Sequence, residues 1–184
     1  MTSQEFTMHD ADKAQETLFN AVYDAHRQSL HAYLFGRTGD RELTLELLQE
    51  TFVRAWRHVH VLQGMEESQH RYWLFSIAKN LLTDHYRKQA TRSTIDQQLQ
   101  NDAQLAAVAS RTPHQEVAAQ EQMQQLDRAI QRLPEELRTV LLMQVLGEMN
   151  SSEIGQALKR PAGTVRYQIS VARKQLAEEM ALFA

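Results

Sequence analysis

The residues of this chain best placed to do chemistry lie in GEMNSSEIGQALKRPAGTVRYQISVARKQL, from Gly147 to Leu176. Within it Arg160, Thr164, Arg166, Tyr167, Ser170, Arg173 and Lys174 bring cations, hydroxyls and a phenol close together. That set suits hydrogen bonding to base edges and ion pairing with phosphates. Bond-making chemistry is not indicated. The eight histidines, at 9, 26, 31, 58, 60, 70, 85 and 114, are scattered. His26 and His31 miss the four-residue spacing of a helical metal pair, and His58 and His60 flank a helix end. There is no cysteine, which excludes a disulfide framework, a zinc-thiolate site and a thiol nucleophile, and which suits a reducing cytoplasm. No glycine-rich phosphate loop and no Ser/His/Asp constellation stands out. No catalytic residue, metal or cofactor is therefore expected.

The elements that must hold those groups are two short helices and a tight turn. Asn150 is an N-cap, with Glu153 three residues on to complete a capping box. Ile154 and Leu158 mark the apolar side of the first helix. Lys159-Arg160-Pro161-Ala162-Gly163 breaks it, and Pro161 is placed to open the next. Val165, Ile169, Ala172 and Leu176 recur at helical spacing and should pack inward, leaving the basic and hydroxyl-bearing side outward. The pattern predicts a helix-turn-helix, against the plainer alternative of a solvated helical hairpin.

The whole chain has 184 residues, 42% of them apolar, with only six glycines and three prolines, enough for one medium or two small all-α domains. No apolar run reaches the length of a membrane span, and MTSQEFTMHDADK is too polar for a signal peptide, so no membrane insertion is expected. The net charge of −3 argues against a protein that grips DNA by bulk electrostatics. Residues 71–92 nevertheless carry five basic side chains and one acidic, a local block.

Taken in order, residues 1–15 read as a loose polar tail. A helix is expected from Thr17 to Arg37, with Leu18, Phe19, Val22, Leu30, Tyr33 and Leu34 as its stripe. A second runs from Arg41 to His58. At 100° per residue, Leu45, Leu48, Phe52, Trp56 and Val59 share one sector, the expected core face. Glu46 and Glu50 then fall on one flank, and Thr44, Leu47, Thr51 and Arg54 on the other. Residues 60–70 read as a polar loop with Gly64. A third helix runs from Arg71 to Gln89, with Trp73, Ile77 and Leu81 as expected core and Lys79, Asn80, Tyr86, Arg87 and Lys88 available to nucleic acid. Residues 90–114, rich in Gln, Ala, Ser and Thr, read as a flexible linker. Helical period resumes at 115 and extends through the helix-turn-helix. The expected domains are 16–89 and 115–184.

RELTLELLQETFVRAWRHV, RYWLFSIAKN with Asp84 and Arg87-Lys88, and LPEELRTVLLMQVL leading into the helix-turn-helix together resemble the extracytoplasmic-function (ECF) sigma factors of bacterial RNA polymerase. The resemblance covers about residues 17–89 and 115–180. Response-regulator output domains share the Gly-Thr-Val pattern, so the C-terminal half alone does not settle the family. The resemblance implies a sigma factor with promoter DNA and core RNA polymerase as partners, through the β′ clamp helices and the β flap. Glu42, Glu46, Gln49, Glu50, Thr51 and Arg54 would hold polymerase. Gly64, Lys79, Asn80, Tyr86, Arg87 and Lys88 would take the opened −10 strand. Thr164, Arg166, Tyr167 and Ser170 would read the −35 duplex, with Arg160, Arg173 and Lys174 on its phosphates.

Two departures stand out. The recognition helix has Arg166-Tyr167-Gln168 where many members have Lys-Ser-Arg, and Val171 where they have a further Arg. The polymerase-binding helix has Thr44-Leu45-Glu46 where many have Ala-Glu-Asp, which thins the acidic face. A minority of the family with such a pattern resembles factors switched by a serine/threonine kinase, so phosphorylation of Thr51, or of Thr44, is expected to supply the missing charge. The usual alternative is sequestration by a membrane anti-sigma factor. A helix-turn-helix regulator that does not itself bind polymerase is the competing reading. It leaves the Trp73–Lys88 signature without a purpose.

Overall fold

The computed structural model describes residues 3–96 and 117–181, and every element among them is a helix. The first half comprises α1 (Ser3–Thr38), α2 (Arg41–Arg57), α3 (Val59–Gln63) and α4 (Glu67–Asp96). The second comprises α5 (Val117–Arg132), α6 (Glu135–Val145), α7 (Ser151–Leu158) and α8 (Ala162–Ala181). Among the described residues no helix is long and apolar enough to cross a membrane.

Several boundaries differ from the sequence reading. Helix α1 runs back to Ser3, through the stretch expected to be a tail. Residues 3–16 hold no glycine or proline and include Ala, Gln, Glu and Lys, which favour helix. Helix α4 continues to Asp96, so residues 90–96 of the expected linker are helical. The remainder of that linker, 97–114, lies outside the described residues. The expected polar loop at 60–70 is mostly helical: Val59 and Leu62 of α3 are buried, and His70, also buried, bonds through Nε2 to the Leu62 carbonyl at 3.1 Å.

The core sector of α2 is rotated from the expected one. Phe52 and Val59 are buried as expected, but so are Thr44, Leu47, Thr51 and Ala55, while Leu45 is 43% and Trp56 45% exposed. Threonine can line a core because its hydroxyl bonds to the carbonyl four residues back and presents its methyl outward. Thr51 Oγ1 donates to the Leu47 carbonyl at 2.7 Å, and Thr44 Oγ1 to that of Asp40 at 2.6 Å. Helix α4 shows a smaller rotation. Leu74, Phe75, Ala78, Leu81 and Leu82 are buried, whereas Trp73 and Ile77 only border the core.

The helix-turn-helix follows its sequence. Asn150 Oδ1 accepts from the Ser152 and Glu153 amides at 2.9 and 3.0 Å, and the Glu153 carboxylate accepts from the Asn150 amide at 2.7 Å. Ile154, Val165 and Ile169 are buried in the main core, and Ala172 is buried against Leu133 and Leu141. Gly155 lets the turn close: a Cβ there would sit 2.6 Å from the Arg160 carbonyl oxygen, which is itself backbone and cannot rotate away.

The two helical domains pack against each other. Leu30, Tyr33, Leu34 and Phe75 of the first half share one hydrophobic core with Val140, Leu142, Met143, Met149, Ile154 and Val165 of the second. Gly147 makes the approach possible, since a Cβ there would meet the Phe75 ring at 2.9 Å and the Met143 carbonyl at 2.5 Å. Val145, at the end of α6, is exposed.

Two outcomes follow from this packing. Gly155→Ala should lower chemical stability by roughly 1–3 kcal/mol, the cost of forcing atoms into a closed turn, read from the denaturation midpoint. His26 is buried, and burial together with Arg71 and His70 pushes its pKa below the ordinary 6.5. The folded chain therefore holds His26 neutral while the unfolded chain takes up a proton. Stability is full above about pH 6.5 and falls as pH drops below that value, by at most about 1.4 kcal/mol per pH unit for one histidine. Thermal melts between pH 7.5 and 5.5 should show this slope, and His26→Gln should flatten it.

Candidate polymerase and nucleic-acid interfaces

Three surfaces meet the functional residues. The first is the outer side of α2. Its N-terminus is fixed by Asp40, whose Oδ1 accepts from the Glu42 and Leu43 amides at 2.8 and 3.1 Å. Glu42, Glu46 and Gln49 are exposed, and Glu50 is half-exposed and paired with Arg54 Nε at 2.8 Å. Between them the surface is apolar. Leu45, Val53 and Trp56 are exposed, and an open groove joins Val53 and Trp56 to Phe19 and Tyr23 of α1. The rings pack edge-on, Phe19 against Trp56 at 5.1 Å between centroids.

Thr44 and Thr51, named as phosphate acceptors and Thr51 also as a polymerase contact, are not on this surface. Both are fully buried, with their hydroxyls bonded to backbone within α2 or at its cap. They belong to the core side of α2, one sector round from where the leucine pattern put the core. Leu45, Val53 and Trp56, none of them among the expected site residues, are exposed here; Leu45 and Trp56 were expected in the core because they share one sector of α2 with Phe52.

The second surface is the outer side of α4. Trp73, Asn80 and Arg87 lie seven residues apart and so form one line down the helix. Tyr72, Lys79 and Tyr86 form a second line beside it. Asn80 and Arg87 are exposed, Trp73, Tyr72 and Lys79 half-buried, and Tyr86 is 36% exposed with its hydroxyl donating to the Arg37 carbonyl at 3.3 Å. Rings interleaved with an amide and cations suit a separated strand, whose bases stack and whose phosphates need neutralising. Tyr72 and Trp73 were missed as members, although the seven-residue spacing was legible. Lys88 does not join the others. It lines a groove between α2 and α4 with Glu46, Glu50, Asp84 and His85. Gly64 is exposed at the C-cap of α3, with φ −86°, an ordinary backbone for any residue.

The third surface is α8. Tyr167 stands 71% exposed at its crest, with Gly163, Ser170 and Lys174 at neighbouring helical positions and Thr164 on one flank. Arg166 and Arg173 share the other flank, seven residues apart. Arg166 is exposed, and Arg173 donates to Gln144 Oε1 at 3.0 Å. Lys174 lies 3.9 Å from Glu178. Arg160, expected on a phosphate, is occupied: it donates to Glu136 at 3.0 Å and to Gln168 at 3.4 Å, while Gln168 also reaches Glu136 at 3.4 Å.

Two family models match the chain, one in each half. Residues 22–92 match the family model of Sigma-70 region 2, and residues 123–176 that of Sigma-70, region 4. The chain is 29% identical over 155 residues to the ECF RNA polymerase sigma factor SigM of Bacillus subtilis, covering 84% of this chain and 90% of that protein. It is 29% identical over 166 residues to the ECF RNA polymerase sigma factor SigL of Mycobacterium tuberculosis, covering 90% of each. Among solved structures it resembles the sigma factor RpoE in complex with the anti-sigma factor NepR from Bartonella quintana, with TM-score 0.63, 16% identity and coverage of 94% of this chain and 97% of that one. It also resembles CnrH in complex with the cytosolic domain of CnrY, with TM-score 0.59, 21% identity and coverage of 90% and 89%. With a region 2 surface on α2 and α4, a region 4 surface on α8, and relatives matched along nearly their whole length, the chain belongs to the ECF RNA polymerase sigma factors, which direct RNA polymerase in transcription initiation.

Proposed function

We propose that the three surfaces divide the work of promoter recognition: α2 docks on core RNA polymerase, α4 takes the separated −10 strand, and α8 enters the −35 duplex. The observation that carries this reading is the contrast between α4 and α8. Helix α8 presents a narrow crest of hydrogen-bonding side chains, suited to a major groove. Helix α4 presents rings and cations in parallel lines, suited to bases already out of the stack. One chain with both kinds of surface fits a factor that binds duplex upstream and single strand downstream. Modest charge is no obstacle, because attachment to polymerase raises the effective concentration of both DNA contacts.

The docking side of α2 is more apolar than acidic. Leu45, Val53 and Trp56, continuous with Phe19 and Tyr23, offer desolvatable area beside Glu42, Glu46 and Gln49. Clustered exposed apolar side chains of this kind mark a surface that is covered in use. The β′ clamp helices are the occupant we assign, with the β flap meeting the second half. An anti-sigma factor is the competitor for these surfaces, since one structural neighbour is a sigma factor in complex with an anti-sigma factor. Control by a serine/threonine kinase is weakened by the burial of both acceptors: a kinase would reach the Thr44 or Thr51 hydroxyl only after α2 had come away from the core.

Two sets of measurements test the reading. In titrations of core polymerase, Trp56→Ala should weaken binding at least tenfold, as loss of a buried aromatic anchor does. Thr51→Glu should lower the melting temperature without raising affinity, because a carboxylate at that position is buried rather than presented. If Thr51→Glu tightens polymerase binding instead, the phosphorylation switch is restored. On a −35 duplex, Tyr167→Ala should abolish sequence preference at an unchanged melting temperature. Lys174→Ala should weaken binding to all sequences alike and reduce the salt slope by about 1.

A further inference from the structure

His70, in the first turn of α4, reaches back across the loop that precedes its helix. The side chain is buried, and its Nε2 lies 3.1 Å from the Leu62 carbonyl oxygen at the end of α3. A carbonyl oxygen has no proton to give, so Nε2–H is the donor and the ring is held as that tautomer. The Leu62 carbonyl also accepts from the Met65 amide at 3.2 Å. The other stem of the loop is closed as well. The Gln69 amide donates to the Glu66 carbonyl at 2.8 Å, and Gln69 Oε1 accepts from the Glu66 amide at 3.2 Å. Each of these other bonds closes a single stem, whereas the His70 bond runs from α3 to α4.

The framed loop, residues 63–66, stands at the head of the α4 surface. Glu66 and Met65 come seven residues before Trp73 and Tyr72, so the two lines of that surface lead up to the loop. Gln63, Gly64 and Glu66 are exposed, and Met65 is half-buried. The fold itself does not require glycine at 64. Its φ is −86°, and a Cβ there would meet nothing closer than the Val61 carbonyl oxygen at 3.6 Å, an ordinary contact. A glycine that neither backbone nor neighbours demand leaves main chain open to close approach by a ligand. That opening is useful to a strand lying on α4 only if the loop is fixed relative to α4.

We propose that His70 is a positioning residue for strand selection: its bond to Leu62 fixes loop 63–66 against α4, so that the bare backbone at Gly64 and the rings of α4 form one continuous seat for the separated strand. The proposal rests on the assignment of α4 to the −10 strand. His70 touches no DNA, because its ring is buried; it acts through the loop. Replacing the donor leaves no orphaned acceptor, since the Leu62 carbonyl keeps the Met65 amide, and the fold should survive.

His70→Leu, His70→Gln and Gly64→Ala test this in the full chain assembled on core RNA polymerase, against single-stranded −10 oligonucleotides varied one base at a time. Wild type should prefer one base over the others by roughly 5- to 100-fold, the range of a well-placed base contact. His70→Leu, of similar volume but without a donor, should lose most of that preference at unchanged affinity for polymerase. His70→Gln, whose amide reaches the position of the imidazole Nε2, should restore it. Gly64→Ala should lose it with no loss of stability. In the free chain, the Met65 and Glu66 amides should exchange about fivefold faster in His70→Leu than in wild type or His70→Gln, the effect of one hydrogen bond. The imidazole nitrogen spectrum of wild type should show the His70 proton on Nε2. A proton on Nδ1 overturns the proposal, as does an unchanged base preference in His70→Leu or in Gly64→Ala. A loss that His70→Gln does not repair also overturns it, because packing and not the bond is then responsible. The tautomer and Gly64→Ala are read on chains that keep His70, so they decide even where a replacement of His70 fails to fold. If wild type binds no strand with any preference, the α4 assignment falls and the role of His70 in selection falls with it, while the amide exchange separately reports whether His70 fixes the loop.

Discussion

A full positive charge buried between two helical halves is the constraint on which the arrangement of this molecule turns. Taking a guanidinium out of water costs several kcal/mol even after local relaxation, and the partners must offset that cost. Arg37 has three acceptors, though its Nε finds none among the described residues, and Tyr33 and Arg138 likewise keep a buried polar atom unpartnered nearby. Burial pushes the Tyr33 phenol up to about 12, so it stays neutral there. The apolar contacts around this cluster, Phe75 on Gly147 and Leu142 beside Gly36, supply the attraction that the polar groups orient. Such an interface is specific in geometry, because the polar groups fix how the apolar surfaces meet.

Much of the fold was legible because its signals are local. The capping box at Asn150 and Glu153, Pro161 before α8, and the inward set Val165, Ile169 and Ala172 depend on neighbours within a turn or two, and all appear as read. The α2 surface was misread for a reason that is equally physical. Periodicity reports that a helix has two kinds of side, and the apolar one is normally the core. Here Leu45 and Trp56 face outward while Thr44 and Thr51 face inward, each hydroxyl satisfied by its own helix. A chain that leaves apolar groups exposed and hides threonines in its core inverts the pattern that the rule depends on. The packing of the two halves was not legible at all, because Arg37 and Glu135 lie 98 positions apart and nothing local announces their meeting.

The misreading and its correction bear on control. Seen as a flank, Thr51 looked available to a kinase. Seen in the core, it is a packing residue, and the surface beside it gains area rather than charge. Recognition that relies on apolar area is less sensitive to salt than recognition that relies on carboxylates.

The triad of Glu136, Arg160 and Gln168 seats α8 from below, through a carboxylate that belongs to α6. The side chains on its crest, Thr164, Tyr167 and Ser170, take no part in that seating. Posture and vocabulary are therefore encoded by different residues. A lineage, or a designer, can rewrite what the helix reads by changing the crest while the bearing on which it rests stays as it is.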